Sequence, residues 1–239
     1  MISKNRIRFI NMLSQKKQRT ENNRFIIEGE KMVHEAIQWI PNLIETIYIT
    51  PDFEIPITDH SILFEEISLK ELKEISSLTT PNKALAICKI TGDKPIESKL
   101  IICLDGVQDP GNMGTILRLA DWFGIKDLVC SKNTVDCYNP KVLQATMGAI
   151  FRVNVHYVDL NEFLSNTELP IYGALLDGEN LFQNNYKRKG IIVLGNEGNG
   201  ISEEIKKHVQ HAITIPRFGE AESLNVATAG AIIIGAFYR

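Results

Sequence analysis

The sequence predicts an α/β protein in which a small α/β domain precedes a larger domain built on a parallel sheet. Three observations support this fold class. Helix-like and strand-like stretches alternate over the first 95 residues, and apolar runs recur at regular intervals after residue 99. Between them, residues 91–99 (TGDKPIESK) combine Gly, Pro and charged residues, which is typical of a linker. We therefore expect a first domain at 1–95 and a second domain at 99–239.

The first domain contains one clear helix pattern and one clear strand pattern. Residues 31–40 (KMVHEAIQWI) bring four apolar side chains together at helical spacing. Those side chains are Val33, Ala36, Ile37 and Ile40. Residues 44–50 (IETIYIT) instead alternate between apolar and polar side chains, as a half-buried strand does.

The second domain repeats a pattern of apolar runs and helix-length segments. The runs are residues 100–104, 128–130, 171–176, 191–194 and 212–215, and two of the helix-length segments between them are 114–123 and 142–150. Strands that are apolar throughout and alternate with helices predict a parallel sheet covered on both faces. Ligands of such sheets bind in the loops that follow the strands. Those loops hold the unusual residues of this chain.

Composition excludes several classes of protein. The chain has 239 residues, of which 44% are hydrophobic, and its longest nearly apolar run, 226–237, is about half of what a membrane span needs. The N-terminus lacks a long apolar signal core, so we expect a cytoplasmic protein without membrane contact. The four cysteines form no CxxC pair and suggest buried free thiols. His208 and His211 have no convincing third ligand, so we expect no metal site.

Positive charge is concentrated at the N-terminus. Residues 1–24 hold seven Lys or Arg residues against one Glu, a balance of 7 − 1 = +6, which leaves −9 for the rest of a chain whose net charge is −3. A basic segment on an acidic body is the pattern expected of a surface that meets phosphates. The predicted RNA-binding residues are Arg6, Arg8, Lys16, Lys17, Arg19 and Arg24. The alternative is a terminus that is merely solvated.

The first unusual loop covers residues 106–124 (GVQDPGNMGTILRLADWFG). Asp109 and Pro110 suit the start of a helix, and Arg118 follows two turns later. The loop matches neither GxGxxG nor the P-loop pattern, so generic dinucleotide or triphosphate binding is unsupported. Arg118 is either a functional residue or a helix arginine that extends to solvent or pairs with Asp121, three residues on.

Two more loops have the same character. Residues 195–205 (GNEGNGISEEI) place three glycines within six residues, more than a plain strand-to-helix turn requires. Residues 215–239 begin with IPRFGEAESLNV and continue into a helix rich in Ala and Gly. So many small residues imply close contact with another backbone, which could belong to a cofactor loop, a partner subunit or a tight core.

The three loops together resemble the signatures of the SpoU or TrmH-like RNA 2′-O-ribose methyltransferases of the SPOUT superfamily. Those signatures are close to NxGxxxRxA, GxExxG and IPMxGxxxSLNVxxA. Here they stand as residues 112–120 (NMGTILRLA), 195–200 (GNEGNG) and 215–227 (IPRFGEAESLNVA). Residues 141–153 are also similar to the family, and residues 24–37 resemble its L30e-like substrate-binding domain. Arg217 and Gln144 depart from the usual Met and Arg.

The resemblance implies a trefoil knot in the C-terminal domain, S-adenosyl-L-methionine as cofactor, and a homodimer whose subunits share the site. It also implies roles for individual positions. The cofactor-binding positions are Leu175, Gly195, Asn196, Gly200, Ile215, Ser223, Leu224 and Asn225. The catalytic positions are Asn112, Arg118, Glu197 and Asn225.

The implied reaction is methyl transfer to a ribose 2′-OH in structured RNA, with rRNA favoured over tRNA because the N-terminal domain resembles a ribosomal RNA binder. The enzyme must position a weakly acidic hydroxyl and help its proton leave. A guanidinium keeps its proton in proteins, so we expect Arg118 to clamp a phosphate and stabilise alkoxide charge while phosphate, Glu197 or water accepts the proton.

Two other functions remain alternatives. One is an RNA-binding or ribosome-assembly protein that keeps the fold without catalysis, although all four catalytic positions are present. The other is a dehydrogenase on a Rossmann-like sheet, against which the missing GxGxxG argues.

Overall fold

The chain folds into two compact units. The computed structural model describes residues 1–57, 62–92 and 94–239. The first unit comprises Met1–Asp93 and Tyr138–Phe151, and the second comprises Lys94–Cys137 and Arg152–Arg239. The linker predicted over 91–99 includes residue 93, which lies outside the described residues. No helix in the described part of the chain is long and apolar enough to cross a membrane.

The first unit is built on a four-stranded sheet. Its elements in chain order are α1 (Lys4–Met12), α2 (Lys16–Asn22), β1 (Arg24–Glu28), α3 (Glu30–Trp39), β2 (Ile44–Ile49), β3 (Phe64–Glu66), α4 (Leu69–Ile75) and β4 (Ala84–Lys89). The strand order is β1-β4-β2-β3, with β4 antiparallel to both of its neighbours. The helix and strand predicted near residues 31–40 and 44–50 are confirmed as α3 and β2, and α3 buries Val33, Ala36 and Ile37 as its spacing requires.

The second unit is built on a six-stranded sheet in which every neighbouring pair is parallel. The remaining elements are β5 (Leu100–Asp105), α5 (Pro110–Trp122), β6 (Asp127–Ser131), α6 (Pro140–Thr146), β7 (Asn154–Val158), α7 (Leu160–Ser165), β8 (Ile171–Asn180), β9 (Gly190–Gly195), α8 (Glu203–Lys206), β10 (His211–Thr214) and α9 (Val226–Phe237). The strand order is β10-β8-β9-β5-β6-β7. The five predicted apolar runs are β5, β6, β8, β9 and β10. The half-exposed β7 was not expected, because its side chains do not form an apolar run.

The segment Tyr138–Phe151, which contains α6, packs with the first unit although it follows β6 in the chain. Leu143 joins the core beneath α3, and the Tyr138 ring lies 4.5 Å from that of Phe25. The helix predicted over 142–150 ends at residue 146 because Met147 adopts a left-handed backbone with φ of 51°. The predicted second domain, 99–239, therefore includes one segment that is packed elsewhere.

Parallel strand order brings the unusual loops of the second unit to one edge of its sheet. Leu104 pairs with Leu194, and Asp105 with Gly195, so β5 and β9 end level with each other. The loop after β5 leads into α5, and the loop after β9 leads into α8. Because both strands are buried throughout, their ends are held rigidly by the core.

Candidate active site

A chain of hydrogen bonds joins one residue from each of the three unusual loops. Asn225 Nδ2 donates to Asn112 Oδ1 at 2.8 Å, and Asn112 Nδ2 donates to Glu197 Oε1 at 3.0 Å. Asn112 lies in α5, Glu197 in the loop after β9, and Asn225 immediately before α9. The three loops, although 85 and 113 residues apart in the chain, therefore form one structure.

The direction of this chain is set at Asn225. Its Oδ1 caps α9 by accepting from the backbone N–H groups of Ala227 at 3.0 Å and Thr228 at 3.2 Å. The Nδ2 of Asn225 must then donate, so Asn112 accepts through Oδ1 and presents its own Nδ2. A carboxylate accepts only, which makes Glu197 the matching end of the chain.

Glu197 also holds the start of α5. Its carboxylate accepts from the backbone N–H groups of Gln108 at 3.2 Å and Asp109 at 3.1 Å. Partial burial raises its pKa, but the hydrogen bonds from Asn112 and from backbone N–H groups lower it more, so the pKa of Glu197 lies below its ordinary value. An ionised carboxylate with a depressed pKa is a weak base. Glu197 is therefore better suited to positioning the loops than to accepting a proton.

Asn196 ties the glycine-rich loop to the end of β5. Its Nδ2 donates to Gly106 O at 2.7 Å, while its Oδ1 accepts from Gly198 N at 2.9 Å and Asn199 N at 3.1 Å. The loop closes through paired backbone bonds of 2.9 Å between Asn196 and Gly200. Gly200 has a φ of +66°, a left-handed conformation that Gly adopts without strain.

A cavity of about 740 Å³ opens beside these loops, between β8, β9, β10 and the segment before α9. Its volume is within the range of small-molecule sites, roughly 300–1,000 Å³. All eight predicted cofactor-binding positions line it: Leu175, Gly195, Asn196, Gly200, Ile215, Ser223, Leu224 and Asn225. Main-chain groups of the loops and apolar side chains such as Leu175 and Ile215 share the wall, which suits a ligand with both polar and apolar parts.

The four predicted catalytic positions divide into two groups. Glu197 and Asn225 line the cavity, whereas Asn112 lies behind them and Arg118 lies on the outer face of α5. Asp121 binds Arg152, whose Nε donates to both carboxylate oxygens at 3.0 Å. The alternative in which Arg118 pairs with Asp121 is therefore wrong, whereas the alternative in which Arg118 extends to solvent agrees with its exposure. Among the described residues, the exposed Arg118 guanidinium has no hydrogen bond or ion pair, which leaves it available to a ligand.

The predicted RNA-binding residues of the first unit differ in exposure. Arg19 is 3% exposed, and its Nη1 donates to the carbonyls of Leu13 and Ser14, so it is a structural residue and not the surface cation that the charge count suggested. Arg6 and Arg24 are half-buried and both bind the carboxylate of Glu45. The side chains of Arg8, Lys16 and Lys17 are exposed.

Comparison with known proteins identifies the family of this fold and site. Residues 99–235 match the SpoU rRNA Methylase family, and residues 4–86 match the MRM3-like substrate binding domain. The chain belongs to the SpoU rRNA methylase family. It is therefore an S-adenosylmethionine-dependent RNA 2′-O-methyltransferase, with a parallel-sheet methylase domain preceded by a small α/β domain, as the resemblance implied.

Similar methyltransferases match nearly the whole chain. The chain is 30% identical over 227 residues to the 23S rRNA (guanosine(2553)-2′-O)-methyltransferase RlmP of Bacillus subtilis, covering 93% of this chain and 91% of that protein. A TrmH-family RNA methyltransferase from Porphyromonas gingivalis superposes with a TM-score of 0.88, 36% identity and coverage of 99% and 98%. An AdoMet-bound rRNA methyltransferase from Sinorhizobium meliloti superposes with a TM-score of 0.85, 25% identity and coverage of 99% and 96%.

We expect Glu197→Gln to lower the free energy of unfolding by about 1 kcal/mol, because either amide orientation points an NH₂ group at two N–H donors. One carboxylate oxygen accepts from Asn112 and Asp109, and the other from Gln108 and Asn196. Denaturant titration at pH 7 measures the loss. The matched control is Glu203→Gln, whose side chain is 86% exposed and pairs only with Lys206 across a helix turn; it should cost less than about 0.5 kcal/mol.

The same pair of variants carries a pH test. Since the pKa of Glu197 is lowered by folding, its ionic contribution is present above its ordinary pKa of 4.5 and is lost as the pH falls through the lowered value. The difference between wild type and Glu197→Gln should therefore shrink on acidification. A difference that stays constant from pH 7 down to the acid transition would contradict the role given to the carboxylate.

Proposed function

We propose that this protein methylates the 2′-hydroxyl of one ribose in 23S-type rRNA in the cytoplasm. The observation that carries the proposal is the junction of Asn112, Glu197 and Asn225 beside a cavity lined by all the positions assigned to the cofactor. The name of the Bacillus relative, a 23S rRNA 2′-O-methyltransferase with nearly full coverage, favours rRNA over tRNA.

Bound S-adenosylmethionine would supply a methyl group already activated by its sulfonium. The loops after β9 and before α9 would hold it, with Asn196 and Asn225 fixing the two loops to α5 and β5. Glu197, whose carboxylate is occupied by four donors, would position these loops. A substrate phosphate or water would then take the proton of the ribose hydroxyl.

Arg118 would contact the RNA directly. Its guanidinium is exposed on α5, and a fork of N–H donors suits a phosphate oxygen pair. A permanently protonated group stabilises negative charge that develops on the attacking oxygen and does not act as a base. In the first unit, the exposed side chains of Arg8, Lys16 and Lys17 would also bind RNA phosphates.

The proposal includes a homodimer formed through α9 and α5. Gly230 packs against Leu194 of β9, because a Cβ added at Gly230 would lie 3.0 Å from Leu194 Cδ1. Part of the small-residue pattern of α9 therefore serves packing within the subunit. Gly235 faces the other way, because its Cβ would meet no atom within 4 Å. Trp122, 84% exposed, gives α5 an uncovered apolar end. A second copy packed on this face would explain both features.

We expect Gly235→Leu to convert the dimer into a folded monomer and to lower methyl transfer by at least about 100-fold, since the site is shared. The new side chain has room within its own subunit but would keep the partner backbone at a distance. Light scattering measures the mass and circular dichroism the fold. Gly92→Leu is the matched control, as its Cβ also meets no atom within 4 Å and it lies outside both helices. A Gly235→Leu protein that stays dimeric would exclude this interface.

The direct test of the proposed function is to incubate the protein with labelled S-adenosylmethionine and 23S rRNA, 16S rRNA or tRNA in separate reactions. We expect label on a single ribose of 23S rRNA, mapped by primer extension at low nucleotide concentration. Label on tRNA would replace the substrate, and label on a base would overturn the ribose assignment. RNA binding without any label would support the alternative of a non-catalytic RNA-binding protein.

A further inference from the structure

A second cavity of about 240 Å³ lies in the methylase unit, away from the loops of the active site. Its lining contains three basic side chains, Lys99, Lys126 and Arg188, together with Tyr238 and Ser98. None of these residues belongs to the motifs of the family, and the reaction described above does not use them.

Sheet topology explains why the three cations meet. Lys99 directly precedes β5, Lys126 directly precedes β6, and Arg188 lies two residues before β9. These strands are parallel neighbours in the order β9-β5-β6, so their first residues lie at the same edge of the sheet. The cofactor loops follow the other ends of the same strands. At about 3.3 Å per residue, six-residue strands separate the two edges by roughly 20 Å.

The basic segments are held in place by backbone bonds. Gly190 N donates to Lys99 O at 2.8 Å, and Asn154 N donates to Lys126 O at 2.8 Å. The Arg188 guanidinium lies 4.5 Å from the centroid of the Tyr238 ring, which orients it by a cation–π contact. The backbone of this sheet edge is therefore fixed, and the three basic residues are exposed on it.

The cations lack carboxylate partners. Within the described ranges, Lys99, Lys126 and Arg188 enter no salt bridge. The buried carboxylate of Asp127, which follows Lys126, accepts hydrogen bonds from Ser98 Oγ at 2.6 Å, His156 Nε2 at 3.0 Å, Asn154 Nδ2 at 3.2 Å and two backbone N–H groups. Three like charges around one cavity repel each other unless an anion lies between them. Lys187 and Lys189 on either side of Arg188 add to the positive potential.

We propose that this basic cavity binds a backbone phosphate of the RNA substrate, at the end of the sheet opposite the reacting ribose. The inference rests on the proposed function. A substrate that touches both edges must extend over roughly 20 Å, so the site favours longer RNA over a fragment that carries only the target nucleotide. Lys99, Lys126 and Arg188 contribute to affinity for the RNA and not to the chemical step.

The test is a triple variant, Lys99→Ala with Lys126→Ala and Arg188→Ala, assayed on 23S rRNA against wild type. We expect a higher KM for RNA, a kcat within about 2-fold of wild type, and an unchanged dissociation constant for S-adenosylmethionine. The slope of log RNA affinity against log salt should fall in magnitude by about 1, as expected for the loss of one phosphate contact. The matched control removes three exposed lysines elsewhere, Lys70, Lys73 and Lys207, and should change the slope less.

Two results would overturn the inference while leaving the proposed function intact. One is a wild-type KM and salt slope in the triple variant. The other is the finding that the cavity binds only free phosphate. In that case inorganic phosphate binds the wild type and not the triple variant, while both proteins bind RNA with equal affinity. If the wild type itself transfers no methyl group to RNA, the proposed function has failed. A comparison of salt-dependent RNA affinity between the wild type and the triple variant then tests separately whether the basic cavity binds RNA.

Discussion

Arg118→Ala should lower kcat by on the order of 10³-fold and leave the dissociation constant of S-adenosylmethionine within about 2-fold of wild type. The guanidinium is exposed, does not line the cofactor cavity and has no partner among the described residues, so its removal leaves the cavity wall unchanged. Loss of a preorganised cation beside a developing oxyanion typically costs about 3 to 4 kcal/mol in the transition state. Isothermal titration with the cofactor and single-turnover methylation of RNA separate the two effects.

Two further variants sharpen this result. Arg118→Lys keeps the charge but loses the planar fork of donors, so it should recover only part of the rate. Thr115→Ala lies one turn earlier on the same exposed face of α5 and should stay close to wild type. A cofactor affinity that falls in parallel with kcat in Arg118→Ala would show that Arg118 shapes the cavity instead of acting on the RNA.

Gly195→Ala should be the most damaging small substitution in the cofactor loop. An added Cβ would lie 2.1 Å from the carbonyl carbon of Gly200 and 2.2 Å from Ile201 N, both of them backbone atoms that no rotamer change can move. The loop would have to shift by about 1 Å, which breaks the paired bonds between Asn196 and Gly200. We expect cofactor affinity to fall by at least about 100-fold and the free energy of unfolding to fall by about 2 to 3 kcal/mol.

Gly198→Ala is the matched control for the stability change. It lies three residues further along the same loop, where the added Cβ would meet only Asn196 Oδ1, at an ordinary contact distance of 3.6 Å. Its free energy of unfolding should stay within about 0.5 kcal/mol of wild type. Denaturant titration measures the free energy of unfolding of both variants. Equal losses in Gly195→Ala and Gly198→Ala would mean that the loop is not closed as tightly as the 2.1 Å approach implies.

The sequence could predict the second unit well because its signals are local. Apolar runs of strand length separated by helix-length segments specify parallel strands without reference to any contact, and five of the six strands were expected from them. The Asp109–Pro110 pair marked the start of α5, which begins at residue 110 with Asp109 as its N-cap. Family motifs contain seven of the eight positions that line one cavity, since motifs record which loops meet, and Leu175 of β8 is the eighth.

Side-chain partners could not be predicted, because they come from distant parts of the chain. Helical spacing put Arg118 near Asp121, yet Asp121 binds Arg152, which lies 31 residues later. The charge count treated Arg19 as a surface cation, whereas its guanidinium binds two carbonyls inside the first unit. A count of charges carries no information about burial.

The sequence alone therefore determined the α/β class, the three loops and the family, since periodicity, turn chemistry and motif order can all be read from neighbouring residues. Only the tertiary structure decided that Asn112, Glu197 and Asn225 form one directed chain, that Tyr138–Phe151 packs with the first unit, and that three cations meet at the opposite sheet edge. Each of these depends on how parallel strands and distant segments are brought together in space, and residue spacing along the chain does not encode that arrangement.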